Sequence, residues 1–188
     1  AMRFTLIFNS NAHIYAAWLW RWMETVEVCK NTFASVLNMM DAKPDFTYTQ
    51  SSAQYYEWME TLYPDLFRKI TQRVKDGRWE VVGGMWVEPD CNLPSGESWM
   101  HHLLFSKRYF QKKFGVNVKI GWNPDSFGYN WNMPQFYRQA GIEDFVTQKI
   151  GWYDTNVFPY HLFLWEGPDG SRVLTYFPFD YVNTVDFE

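Results

Sequence analysis

Three stretches of this chain set side chains that can hold a metal or attack a carbon atom among aromatic rings. The first reads Asn11-Ala12-His13-Ile14-Tyr15-Ala16-Ala17-Trp18-Leu19-Trp20. The second reads Gly83-Gly84-Met85-Trp86-Val87-Glu88-Pro89-Asp90-Cys91-Asn92, and the third Trp122-Asn123-Pro124-Asp125-Ser126-Phe127-Gly128-Tyr129. Neutral imidazole and carboxylate are zinc ligands. A carboxylate also serves as nucleophile or as acid and base. Flat apolar rings pack on the C–H face of a pyranose. Each residue has an ordinary use as well. A lone histidine such as His13 is most often structural, and an aspartate in a Pro-Asp-Ser-Phe-Gly turn bonds nearby backbone N–H groups. Taken singly, none of these signals is specific.

The elements that must position these groups follow from apolar spacing. Phe4–Phe8 is a short β-rich run, expected as a buried strand. Trp18, Trp22, Val26, Cys29, Phe33, Val36, Leu37 and Met40 recur at helical spacing. Strands are expected at 46–49, 79–82, 118–122 and 145–148. Helices are expected at 54–74 with a break at Pro64, at 98–114, and at 134–140 capped by Gly141. Two β-rich runs at 161–166 and 172–177 flank Gly167-Pro168-Asp169-Gly170, a hairpin signal. Alternating strand and helix over the first 150 residues predicts an α/β fold with a parallel sheet or barrel, in which active groups sit at the carboxyl ends of strands. The three stretches follow the first, third and fourth strands.

The bulk numbers narrow the class. A length of 188 residues suits one domain with its own core. The aromatic content of 21% is more than a core of this size needs and agrees with sugar-lined surfaces. Net charge is −4 and no basic stripe is visible, so nucleic acid is not an expected partner. No apolar run is long enough to span a bilayer, and the N-terminal run is too short for a signal peptide. Cys29 and Cys91 stand far apart, with neither disulfide-framework nor zinc-ribbon spacing. Two isolated thiols fit a reducing compartment, so the expected location is cytoplasmic.

Taken together the stretches resemble glycoside hydrolase family 38, the zinc-dependent retaining α-mannosidases. The resemblance runs over nearly the whole chain. It rests on Trp18-Leu19-Trp20-Arg21-Trp22, Thr49-Gln50-Ser51-Ser52, Gly83 through Asp90, Pro124-Asp125-Ser126-Phe127-Gly128 and Phe177-Pro178-Phe179-Asp180-Tyr181. It implies a (β/α) barrel, seven-stranded in relatives and incomplete here at its C-terminal side, followed by the late hairpin. It implies His13 as a zinc ligand and Asp125 as both nucleophile and zinc ligand. Trp18 would pack under the mannose, Phe127 beside the same sugar, and Lys149 near the nucleophile. The expected ligand is a mannose-containing oligosaccharide. Glu88 and Asp90 fall near the site without a role that the resemblance assigns. Polysaccharide deacetylases share a similar α/β barrel, but their spaced histidine pair is not found here.

Two departures bear on activity. The family's His-x-Asp motif here reads His13-Ile14-Tyr15. A phenol, with a pKa of about 10, is a poor zinc ligand near neutral pH and is bulkier than aspartate. Zinc is therefore expected to bind weakly or not at all. The acid/base carboxyl and a further zinc-binding histidine fall, in relatives, beyond the equivalent of Glu188. His101, His102 and His161 read as structural. The expectation is an impaired mannosidase, with a non-catalytic carbohydrate-binding or structural barrel fragment as the alternative. An exposed sheet edge in such a fragment invites self-association.

Overall fold

The computed structural model describes residues 9–178. The expected first strand at Phe4–Phe8 and the last three residues of the Phe177–Tyr181 motif lie outside them. The described residues divide into two compact units, one drawn from 9–50 and 54–81 and the other from 51–53 and 82–178.

The first unit holds a parallel sheet in the order β1 (Ser10–Asn11), β2 (Tyr48–Gln50), β3 (Trp79–Val81). Its helices are α1 (Trp22–Ala42), α2 (Ala53–Leu62) and α3 (Pro64–Lys75). The apolar stripe of α1 is buried as its spacing predicts, through Val26, Cys29, Phe33, Val36, Leu37 and Met40. The helix nevertheless begins at Trp22, later than the stripe suggests. Thr25 donates its hydroxyl to the Ala16 carbonyl at 2.9 Å and accepts from Trp20 Nε1 at 3.0 Å, so residues 16–20 fold back over the first turn instead of extending it. Pro64 breaks the next helical run at the expected place, since it fits the first turn of a helix and not its interior. The core is aromatic. Trp79 meets Phe33 edge to face at 5.3 Å and Tyr48 at 4.7 Å. Its Nε1 donates to Tyr56 Oη at 2.9 Å, and Tyr56 donates in turn to the Gln50 carbonyl at 3.0 Å. That chain satisfies three buried polar groups at the end of β2.

The second unit holds a mixed sheet in the order β4 (Ile120–Trp122), β5 (Asp144–Val146), β7 (Arg172–Tyr176), β6 (Leu162–Glu166). The first three are parallel, and β6 runs antiparallel to β7 as the hairpin. The hairpin is thus part of the sheet, with Val146 opposite Tyr176 and Leu162 opposite Tyr176 on the other side. Helices α4 (Gly96–Phe114) and α5 (Met133–Gln139) cover the sheet. Ser95 caps α4 by accepting from Ser98 N–H, and Gly115 closes it in the left-handed conformation. Trp99, Leu103, Met133, Tyr137, Ile142, Phe145 and Val173 form one buried cluster with Met85 and Cys91.

Among the described residues the strands make two open sheets, and no closed barrel is present. The α/β class and the parallel pairing agree with the sequence. The strands are shorter than the apolar runs suggested: β2 and β4 begin later, at Tyr48 and Ile120, and β3 and β5 end earlier, at Val81 and Val146. No helix among the described residues is long and apolar enough to cross a membrane. Cys29 and Cys91 are both free and buried.

Candidate active site

The loop after β4 carries Asp125. Five ties hold it within the second unit. Asn123 N–H donates to the Val146 carbonyl at 3.0 Å, and the Pro124 carbonyl accepts from Gln148 N–H at 3.2 Å and Lys149 N–H at 3.1 Å. The Asp125 N–H and the Ser126 hydroxyl both donate to Glu88 Oε1, at 3.1 and 3.3 Å. On the far side of the turn, Gly128 faces the end of the Asn92 side chain from the loop after β3: a Cβ there would stand 2.6 Å from Asn92 Nδ2.

Asp125 Oδ1 accepts from Lys149 Nζ in an ion pair. Both side chains are largely withdrawn from solvent, at 16% and 8% exposure, which removes the screening that makes surface pairs weak. The same ammonium lies 4.4 Å from the centre of the Phe127 ring and 3.6 Å from that of Trp152, both within cation–π range. Trp152 belongs to a short 3-10 turn, Lys149–Trp152, that leaves β5. Phe127 and Trp152 are 66% and 61% exposed, so each offers ring surface to a ligand as well. Asp125, Phe127 and Lys149, three of the residues singled out from the sequence, are therefore gathered at one place.

Glu88 brings a second carboxyl group to this turn. Burial pushes it up to about 8, against the opposing pull of the Asp125 N–H and the Ser126 hydroxyl. Asp90 shapes its own loop, where its Oδ1 accepts from the N–H groups of Asn92 and Leu93 at 2.8 and 3.1 Å, an aspartate turn. Glu88 and Trp152 are the residues of the site that sequence reading left without a role. A glutamate between Val87 and Pro89 carries no spacing signal, and Trp152 is one tryptophan of eleven.

His13, Tyr15 and Trp18 are gathered in the first unit. The Tyr15 ring meets the His13 imidazole edge to face at 4.7 Å and 89°. It stacks on the Trp18 indole at 5.3 Å and 19°. The Tyr55 hydroxyl donates to the Ile14 carbonyl and pins the stretch between them. One face of Trp18 is thus met by a ring of its own chain, while the indole as a whole remains 54% exposed.

A zinc site takes about four N, O or S donors, typically neutral imidazole, thiolate or carboxylate. Tyr15 offers a phenol in place of a carboxylate, and its ring is spent on aromatic contacts. Asp125 Oδ1 is engaged by an ammonium. Among the described residues no three His, Cys, Asp or Glu side chains gather where one ion could sit. Of the three positions compared with the zinc-binding motifs, His13 and Asp125 are donors of the kinds zinc takes, and Tyr15 is not. Two further histidines have partners of their own. His101 pairs with Glu97 at 3.3 Å along α4, and His161 Nδ1 lies 3.0 Å from the Phe177 carbonyl.

Comparison with known proteins adds three findings. The family described as "Glycosyl hydrolases family 38 N-terminal domain" matches residues 3–186. Alpha-mannosidase G of Dictyostelium discoideum is 45% identical over 168 residues, and alpha-mannosidase 2C1 of Homo sapiens is 42% identical over 174. These matches cover 89% and 93% of this chain but 16% and 17% of those proteins, so the chain spans a small part of their length. The crystal structure of an alpha-mannosidase from Enterococcus faecalis V583 superimposes with a TM-score of 0.78 at 20% identity, over 90% of this chain and 19% of that one. At that identity the likeness is one of fold.

Proposed function

Since this chain belongs to glycosyl hydrolase family 38, we propose that it is a catalytic-domain segment of an α-mannosidase, with Asp125 as the nucleophile of a retaining hydrolysis. The observation that carries this reading is the Asp125–Lys149 pair set beside the exposed Phe127 ring at the carboxyl end of β4. A retaining glycosidase attacks the anomeric carbon with one carboxylate while a second carboxyl group, about 5–5.5 Å away, protonates the leaving oxygen and then activates water. Lys149 engages one oxygen of Asp125 and so orients the carboxyl group for attack. Phe127 gives the sugar an apolar face. Trp18 is proposed as a further sugar contact, and His13 and Asp125 as the donors toward zinc. The (β/α) barrel of the family belongs to the same reading, and so does a mannose-containing oligosaccharide as ligand. A cytoplasmic location rests on the two separate, free thiols.

The same reading holds that zinc binds weakly and that turnover is impaired, because Tyr15 stands where the family's motif has aspartate and its ring covers part of Trp18. That contact also favours the second reading, a domain that binds mannosides without hydrolysing them. Turnover of an aryl α-mannoside, measured beside titration with a mannose-mimicking iminosugar, separates the two. Turnover lost in Asp125→Ala supports the enzyme. Saturable binding without turnover supports the binding domain, and neither response removes both. Self-association through an edge strand is proposed as well, with β6 as the edge (its leucines 162 and 164 are each 61% exposed).

A further inference from the structure

The Asp125 turn is tied to β5 and the residues after it by main-chain bonds. Asn123 N–H, the Pro124 carbonyl, Gln148 N–H and Lys149 N–H all take part. The apex of the turn is held differently, by a side chain. Pro124 lacks an N–H, so the Asp125 N–H is the first donor of the apex, and Ser126, which is 4% exposed, is buried with its hydroxyl. A buried donor without an acceptor costs more than a hydrogen bond gains. Both donors are satisfied by one atom, Glu88 Oε1, which arrives from the loop after β3. That loop is itself set by Gly83 and Gly84, which leave β3 with φ of +91° and +65°. Gly84 lies in the left-handed region that favours glycine, and a Cβ there would also meet the end of the Ile142 side chain, 2.6 Å from Cδ1.

We infer that Glu88 is a positioning residue: its carboxyl oxygen fixes the backbone apex from which Asp125 projects. Lys149 acts on the Asp125 side chain, and Glu88 acts on its main chain. The carboxyl group is thereby set from two directions, at Oδ1 and at the residue's own N–H. The catalytic part of this inference rests on Asp125 being the nucleophile; the structural part does not. Misplacing a reacting group by about 1 Å costs on the order of a hundredfold in rate, so a side chain that never touches substrate can govern turnover.

The test compares Glu88→Gln, Glu88→Asp and Glu88→Ala in the protein as it occurs. Glutamine keeps an acceptor oxygen at the same reach. Aspartate keeps the carboxyl group but draws the oxygen back by one methylene. Alanine removes it. The primary readout is amide hydrogen exchange at Asp125, which reports the bond whether or not the protein turns over substrate. Expected are exchange faster by about tenfold or more in Glu88→Asp and Glu88→Ala, near-parental exchange in Glu88→Gln, and unchanged exchange along α4. On an aryl α-mannoside, kcat falls in Glu88→Asp with KM nearly unchanged, and Glu88→Gln restores it. Parental exchange at Asp125 in Glu88→Asp overturns the inference, and so does a glutamine variant that exchanges like alanine. If Glu88→Ala fails to fold, the Asp and Gln pair still decides. An exchange pattern as expected, in a protein that shows no turnover, retires the nucleophile assignment and leaves the positioning role standing.

Discussion

In the proposed reading, Tyr15 and Asp125 bear on the chemistry in opposite senses. Asp125 keeps a family residue in a prepared setting, with its N–H, its carboxyl group and its neighbouring hydroxyl all engaged. Tyr15 packs its ring on His13 and Trp18, at the position proposed to correspond to the family's anionic donor. Changing Tyr15→Asp is expected to raise zinc affinity measurably, as read by metal analysis after dialysis against a weak chelator. Near-stoichiometric zinc in the parent protein would contradict the weak-site reading. Changing Lys149→Met removes one partner of a pair that is mostly withdrawn from solvent. Stranding the Asp125 charge is expected to lower stability by on the order of 3 kcal/mol in denaturant unfolding. Lys149→Arg, which keeps the charge, should recover most of that loss.

At the scale of elements, the residues that build the site sit where strands end. β3 ends before Gly83-Gly84, β4 ends at Trp122, and β5 ends before the 3-10 turn of Lys149. Each strand is short, so the side chains that follow are held chiefly by the loops' own hydrogen bonds and by the cores beneath. The Trp79 indole is the test in the first unit. Trp79→Phe keeps the ring contacts with Phe33 and Tyr48 but removes the Nε1 donor to Tyr56 Oη, while the Tyr56 bond to the Gln50 carbonyl remains. A cost of about 0.5–1.5 kcal/mol is expected in thermal or denaturant unfolding. In the second unit, β6 ends its sheet and exposes Leu162 and Leu164. Leu164→Lys places a charge on that edge, a device that blocks edge-to-edge pairing. Light scattering at high concentration should show less self-association than in the parent. A parent that stays strictly monomeric removes the edge-pairing proposal.

For the whole molecule, pH acts through a group far from the Asp125 turn in sequence. His102 lies on α4, and burial lowers its pKa from the ordinary 6.5. The folded state therefore disfavours the imidazolium more than the unfolded state does. Stability is fully present above the unfolded value and falls as pH drops below it toward the depressed folded value. Glu88 acts in the opposite sense, since its raised value favours the folded state as pH falls below about 8, so the His102 contribution is read as the difference between the parent and His102→Gln. Below about pH 6.5 that difference should shift increasingly in favour of the variant. A difference in midpoint that stays constant across that range would show that His102 titrates alike folded and unfolded.

Sequence alone determined a good deal. The helices and most strands were legible because apolar periodicity and the punctuation of Pro64, Gly141 and Gly170 act within a few residues of where they stand. The family was legible because several short motifs keep their order and spacing, and the match over residues 3–186 agrees. Tertiary structure decided the rest. That Thr25 folds residues 16–20 back and delays α1 depends on bonds to Ala16 and Trp20 that no period encodes. That β7 inserts between β5 and β6 depends on pairing partners far apart in the chain. The partners of Asp125 come from residues 37 and 24 positions away, and Trp152 meets the site at the Lys149 ammonium. Periodicity records which face of an element is buried, whereas a hydrogen bond closed across a long loop leaves no local trace. The role of Glu88 is of that second kind, since it depends on one oxygen reaching the apex of a turn that belongs to another strand.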